Sequence, residues 1–268
     1  MTVAVLMTCH NRRETTLRCL LHFFVACGKC HEVSFDVWLV DDGSSDGTAE
    51  AVKNSFPQVH VIHGDGTLFW AKGMHKVWRE ATNHCQYDFY LWLNDDVVLR
   101  SDAILGMLAD YRAVGGVLVG ACSEDETEQK CSYGTTNSKN QRIMPNGRPQ
   151  RADGWLNGNF VLVPREVFSK VGLISDEYSH ARADYDYAER LKRLDIPFYC
   201  SSAYVGSCKD DFWAKMSVKS FLQRIQMLWQ PGYWNLHDLW IIRRRYHGIV
   251  PAVISCAHLM LIAARGVK

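Results

Sequence analysis

The chain has 268 residues, 47% of them hydrophobic and 22% charged, which is enough to bury a sizeable core and excludes a disordered chain. Its 19 glycines and 7 prolines are too few for a fibrous or low-complexity protein. Thirty lysines and arginines against 29 aspartates and glutamates leave a net charge of +1, which argues against a general nucleic-acid binder.

In chain order, short apolar runs alternate with amphipathic stretches. Residues 3–7 read as a buried strand and 15–26 as a helix, with leucines and phenylalanines at helical spacing. The alternation continues with a strand over 35–40, a helix over 45–54, a strand over 59–62 and a helix over 71–83. A strand over 89–93, a helix over 103–111 and a strand over 117–121 follow. This pattern predicts an α/β fold with a mostly parallel central sheet flanked by helices. Residues 123–153 are polar and weakly periodic, and read as an insertion or flap. Beyond them come a strand over 159–163, helices over 165–170 and 185–193, and a strand over 198–205. The tail then turns helical, over 218–229, 236–246 and 249–264. We place a catalytic domain at 1–208, with a donor half over 1–121 and an acceptor half over 154–208, and a helical extension at 209–268.

Charge divides along the same boundary. Residues 209–268 carry nine basic and three acidic side chains, and the first 208 carry 21 and 26. An acidic body suits metal or sugar chemistry, and a basic tail suits an anionic surface. The ten cysteines are scattered behind no leader sequence, so we expect reduced thiols in a cytoplasmic protein. Cys27-Gly28-Lys29-Cys30-His31 matches C-x-x-C-H, for which haem, zinc or redox roles are the functional alternatives. It also ends a helical pattern, and we read it as helix-terminal residues.

Ligands of a parallel sheet collect at the carboxyl ends of its strands. Four polar clusters stand there: Thr8-Cys9-His10-Asn11-Arg12, Asp41-Asp42-Gly43-Ser44, His63-Gly64-Asp65-Gly66 and Asn94-Asp95-Asp96. Asp42 opens what resembles a calcium loop, but the twelfth position is Lys53 rather than glutamate, so we reject that reading. Held after its strand, Asp42 can accept from a nucleobase imide or a ribose hydroxyl, or serve in a capping loop. Asp95 and Asp96 repel unless a cation joins them, and oxygen ligands of this kind suit Mg²⁺ or Mn²⁺. Asp184 and Asp186 open the helix over 185–193, where they either serve the helix dipole or act as a general base.

The order Thr8–Arg12, Asp41-Asp42-Gly43-Ser44-Ser45-Asp46-Gly47-Thr48, Asn94-Asp95-Asp96, Gly158-Asn159-Phe160 and Asp184-Tyr185-Asp186 resembles glycosyltransferase family 2, over roughly residues 2–205. The run Gly64-Asp65-Gly66-Thr67-Leu68-Phe69-Trp70, followed by Gly73-Met74, is similar to a bacterial subset that includes rhamnosyltransferases of surface-polysaccharide assembly. The resemblance implies a GT-A fold and an inverting, metal-dependent transfer of a hexosyl or deoxyhexosyl group from a nucleotide sugar, dTDP- or UDP-linked, to a lipid-linked glycan. It implies that Thr8, His10, Asn11, Arg12, Asp42, Gly66, Lys72, Asn94 and Asp95 surround the nucleotide sugar. Asp96, with Asp95, would hold Mg²⁺ or Mn²⁺. Trp155, Asn157 and Gly158 would lie by the acceptor. Asp184 would be the base, with Asp186 its competitor.

The chain departs from that pattern in three places. Asn94 replaces the first aspartate of D-x-D, and Ala183 replaces a glutamate that often precedes the base. Val205-Gly206-Ser207-Cys208-Lys209 lacks a metal-binding histidine, leaving Lys209 to offer charge to the leaving diphosphate. The rivals are a nucleotidyltransferase and a catalytically inactive nucleotide-sugar-binding protein. In the tail, residues 249–264 are uncharged and bracketed by Arg243-Arg244-Arg245 and by Arg265 and Lys268, with Trp229, Tyr233, Trp234 and Trp240 nearby. Sixteen residues are too few to span a bilayer. This helix lies either on the inner face of the cytoplasmic membrane or against the domain or a second copy of the chain.

Overall fold

The computed structural model describes residues 1–209, 220–231 and 235–265. Residues 218 and 219 of the expected helix, with Tyr233, Trp234 and Lys268, lie outside them. The described elements, in order, are β1 (Thr2–Cys9), α1 (Arg13–Cys27), β2 (Ser34–Asp41), α2 (Thr48–Ser55), β3 (His60–His63), α3 (Phe69–His84), β4 (Phe89–Leu93), β5 (Val98–Leu99), α4 (Ala103–Val114) and β6 (Val117–Ser123). After them come β7 (Cys131–Tyr133), β8 (Gln150–Ala152), β9 (Phe160–Pro164), α5 (Arg165–Val171), α6 (Ala183–Arg193), β10 (Phe198–Ser207), α7 (Phe221–Met227), α8 (Leu236–His247) and α9 (Ile249–Arg265).

One sheet runs in the order β3-β2-β1-β4-β9-β6-β10-β5. β3, β2, β1 and β4 are parallel, as are β6 and β10, while β9 runs antiparallel between β4 and β6. Helices cover both faces. Val3, Val5 and Met7 of β1 pack with Cys19, Leu20 and Phe23 of α1 and Met107 of α4. Ala4 and Leu6, one residue out of phase, pack with Met74 and Trp78 of α3 and Tyr187 of α6. Burial on both faces is why these strands read as unbroken apolar runs.

The stretch over 123–153 is not a flap outside the core. It carries β7 on β6 and β8 on β10, and Thr135, Thr136 and Ala152 are buried. Strands of three residues are too short to show periodicity. The Cys27–Cys30 segment closes α1, with Cys30 N–H donating to Cys27 C=O at 2.8 Å. Burial pushes the Cys27 thiol up to about 12, and Cys30 packs in the core.

Candidate active site

The carboxyl ends of β1, β2 and β4 open on one cavity of about 590 Å³, within the range of small-molecule sites. It gathers Thr8, His10, Arg12, Asp42, Asn94, Asp95, Asp96, Trp155, Asn157, Gly158 and Asp184 from segments far apart in sequence.

Asp42 is buried, and its carboxylate accepts three backbone N–H groups: Gly66 at 2.9 Å, Leu68 at 3.0 Å and Phe69 at 2.9 Å. The last two are orphan donors at the start of α3, so Asp42 caps that helix from another strand. One lone-pair direction of four remains for a ligand. Gly43, at φ +67°, lets the chain turn there, and a Cβ would stand 2.8 Å from the Gly66 nitrogen. His10 Nδ1 lies 2.6 Å from the Asp42 carbonyl oxygen, and its Nε2 lies 3.0 Å from Asn11 Nδ2. Both contacts are satisfied by a neutral ring protonated at Nδ1.

A guanidinium joins the carboxylate pair. Arg12 Nη1 donates to Asp95 Oδ1 at 2.8 Å and Nη2 to Asp96 Oδ2 at 3.0 Å. Asp95 also accepts from Thr16 Oγ1 at 3.4 Å. Burial pushes its carboxyl up and Arg12 opposes that push. The Asp96 side chain is 29% exposed and faces the cavity, with the Cys208 thiol donating to its Oδ1 at 3.4 Å. Asn94 Oδ1 accepts the Trp70 indole N–H at 2.7 Å. Asn94 thus fixes an aromatic wall of the cavity.

No group of three His, Cys, Asp or Glu converges as a metal cage among the described residues. The donors nonetheless fit a hard cation. Mg²⁺ commonly takes one or two carboxylates and completes its shell with water and substrate phosphates. Asp96, with Asp95 behind it, offers that set once the half-exposed Arg12 gives way.

On the other wall, Asp184 stands in the first turn of α6. Its Oδ2 accepts Gly158 N–H at 3.1 Å and its Oδ1 accepts Tyr185 N–H at 2.9 Å. Burial pushes the carboxyl up to about 6, against those two donors. Gly158 is close-packed, since a Cβ there would strike the Trp70 ring. Trp155 stacks on Tyr185 at 4.8 Å and lies under Arg142, 4.9 Å from the ring centroid. Arg142 also donates to Asn157 Oδ1 at 2.6 Å.

Five expected residues do not line the cavity. Asp186 is fully buried two residues along α6, on the face away from it. Its carboxylate accepts Tyr178 OH at 3.1 Å, Arg190 Nε at 2.9 Å, Arg245 Nη1 at 2.9 Å and Tyr246 OH at 2.7 Å. With those partners it is a structural hub and is removed as a candidate base. Lys72 projects from the exposed side of α3, and its neighbours Ala71 and Gly73 face the core. Asn11 and Gly66 instead shape the rim, Asn11 Oδ1 accepting Ser45 N–H at 2.7 Å and Gly66 donating to Asp42. Lys209 is likewise absent from the lining.

Tyr133, Arg142, His180, Arg182 and Tyr185 line the cavity without having been singled out from sequence. Arg182 directly precedes a recognisable helix start, a usable signal. Arg142 sits in the weakly patterned 123–153 stretch and gave none.

A sequence model of glycosyl transferase family 2 matches residues 4–172. The chain belongs to glycosyl transferase family 2. This glycosyltransferase is 23% identical over 219 residues to an N-acetylglucosaminyl-diphospho-decaprenol L-rhamnosyltransferase of Mycobacterium tuberculosis, covering 69% of this chain and 70% of the relative. In fold it is similar to the mannosyltransferase PcManGT of Pyrobaculum calidifontis, solved in complex with GDP-Man and Mn²⁺. That TM-score is 0.56 at 12% identity, covering 99% of this chain and 76% of the other. It is also similar to S. aureus TarS residues 1–349, at TM-score 0.54 and 13% identity over 98% and 81% of the two chains. These likenesses give the GT-A-type fold, and the family match sets aside the nucleotidyltransferase alternative. The family match ends in the turn after α5, so Asp184 and its wall lie beyond it.

Proposed function

We propose that this family 2 enzyme transfers a hexosyl or deoxyhexosyl group, with inversion, from a dTDP- or UDP-sugar to a lipid-linked glycan, in assembly of a bacterial surface polysaccharide. The observation that carries the reading is that Asp184, whose carboxyl burial pushes up to about 6, shares one cavity with the Asp95–Asp96 pair. The nucleotide would lie over β1 and β2, where Thr8, His10 and Asp42 stand. The sugar would sit beside Trp70, on the side that faces Asp184 across the cavity. Ionised Asp184 would take the acceptor hydroxyl proton as that oxygen attacks the anomeric carbon from the face opposite the diphosphate. Arg12 is placed to neutralise charge that builds on the leaving phosphate. A divalent cation held by Asp96 and Asp95 would supply further electrophilic stabilisation there. The named activity of the M. tuberculosis relative supports a polyprenyl-diphosphate-linked acceptor.

Membrane-surface attachment fits that acceptor. No helix among the described residues is long and apolar enough to cross a membrane. α9 instead exposes Ile249, Val250, Val253, Ile254 and Leu261 at helical spacing, and α7, which packs on α9, and the turn after it expose Phe221, Leu222 and Trp229. An uncharged stripe beside Arg244 and Arg265 suits the interface of an anionic leaflet.

The direct test is a thermal-shift screen of nucleotide sugars with and without Mn²⁺, followed by transfer to polyprenyl-diphosphate-linked N-acetylglucosamine. A ligand at about 100 times its Kd stabilises by about 2.7 kcal/mol. A shift with a dTDP- or UDP-sugar, and a product of inverted anomeric configuration, are expected. Absence of any shift overturns the donor assignment, and a retained configuration overturns the mechanism.

A further inference from the structure

We infer that α8 belongs to the catalytic apparatus: through Asp238 and Arg245 it holds the loop before α6 and thereby aims Asp184 and the acceptor wall. The inference rests on the reading of Asp184 given above.

α8 lies more than forty residues beyond Asp184 in sequence, yet it places two charged side chains against the ground Asp184 stands on. Asp238 is 0% exposed. Its carboxylate accepts the backbone N–H of Ser179 at 3.0 Å, the Ser179 hydroxyl at 2.9 Å and the His180 N–H at 3.2 Å. Asn235, which caps α8, donates to the same Ser179 hydroxyl at 2.9 Å. His180, Ala181 and Arg182, the next three residues, line the cavity. Two turns along α8, Arg245 donates to the buried Asp186 at 2.9 Å and pairs with Glu177, while Tyr246 donates to Asp186 at 2.7 Å. Asp186 is two residues from Asp184. The loop and the first turn of α6 are therefore held from both ends by one helix.

Simple packing does not call for this arrangement. Ile242 already seats α8 in the core. A buried carboxylate is costly unless several donors meet it, and an apolar side chain would pack at least as well. Asp238 instead satisfies two backbone donors of a loop. The same loop ends at Arg182, whose φ of +75° is a strained conformation for a side-chain-bearing residue. Such strain persists where the surroundings over-determine it, and it clusters at functional sites. Asp238, Asp186 and Arg245 are thus positioning residues, acting through the loop and through Asp184 rather than on substrate.

The test uses the full chain and Asp238→Asn, with Arg245→Gln as the second variant and Arg245→Lys as the conservative control. Three quantities are read: hydrogen exchange over residues 176–183, affinity for UDP and dTDP with Mn²⁺, and kcat for transfer. Asp238→Asn is expected to lose protection at Ser179 and His180 and to keep nucleotide affinity within about twofold. Its kcat should fall about 10²-fold, the scale of a misplaced catalytic group. Arg245→Gln should act likewise and Arg245→Lys should recover part of the loss. Unchanged exchange protection overturns the inference. So does lost protection with unchanged kcat, or nucleotide affinity and kcat falling by one factor. If Asp238→Asn fails to fold, the Arg245 pair is judged by the same criteria. If the wild type transfers no sugar, the proposed function fails, and exchange protection alone still decides whether α8 holds the loop.

Discussion

Replacing Asp184 with asparagine removes the proposed base while changing little else. The carboxylate accepts two backbone N–H groups, from Gly158 and Tyr185. An asparagine keeps one oxygen to accept from one of them and turns its amide toward the other. An unmet buried donor costs about 1–3 kcal/mol, and relief from burying a charge offsets part of that. The melting temperature should therefore move by only a few degrees. Turnover should fall about 10²–10⁴-fold, the usual worth of general-base catalysis, or about 2.7–5.4 kcal/mol in the barrier. The pH dependence has a definite sign. Asp184 must be ionised to accept a proton, and its carboxyl sits at about 6. In the wild type, kcat should fall about tenfold per pH unit below that point and flatten above it. Steady-state kinetics from pH 4.5 to 8, with nucleotide affinity and melting measured alongside, make the assay. Turnover of Asp184→Asn within about tenfold of wild type, or survival of the acid limb in that variant, refutes the assignment.

Asp96→Ala should abolish Mn²⁺-dependent nucleotide binding with the fold intact, because Asp96 is the cavity-facing member of the pair. Calorimetric titration of UDP or dTDP with and without Mn²⁺ reads this, and metal-dependent binding in the variant would move the site elsewhere. Gly158→Ala forces a Cβ into the Trp70 ring, breaking the 2.7 Å bond to Asn94. It should cost at least tenfold in kcat/KM, while Gly106→Ala, with open space around it, should be neutral or slightly stabilising. Changing Val250 and Ile254, 68% and 63% exposed, to serine should weaken co-sedimentation with anionic vesicles at high salt, where arginine attraction is screened. Equal sedimentation of variant and wild type would leave α9 as a packing surface only.

The alternation of apolar runs and amphipathic stretches was legible in the chain because strands buried on both faces have no polar phase to confuse the pattern. The same feature put Thr8, Asp42 and the Asp95–Asp96 pair at strand ends, where topology must bring them to one edge. Local sequence could not say what each carboxylate would meet. Asp184 and Asp186 stand two apart at one helix start, and a helix turns them about 200° apart. That rotation sends Asp184 into the cavity and Asp186 onto Arg190, Arg245 and Tyr246. Asp42 likewise read as a ligand-binding carboxylate, and only the fold shows that three amides of a later segment occupy most of it. The ion pair between Arg12 and residues 83 and 84 positions away, and the grip of Asp238 on Ser179, join segments with no pattern in common. Such contacts depend on where elements dock, so they became visible only in the tertiary structure.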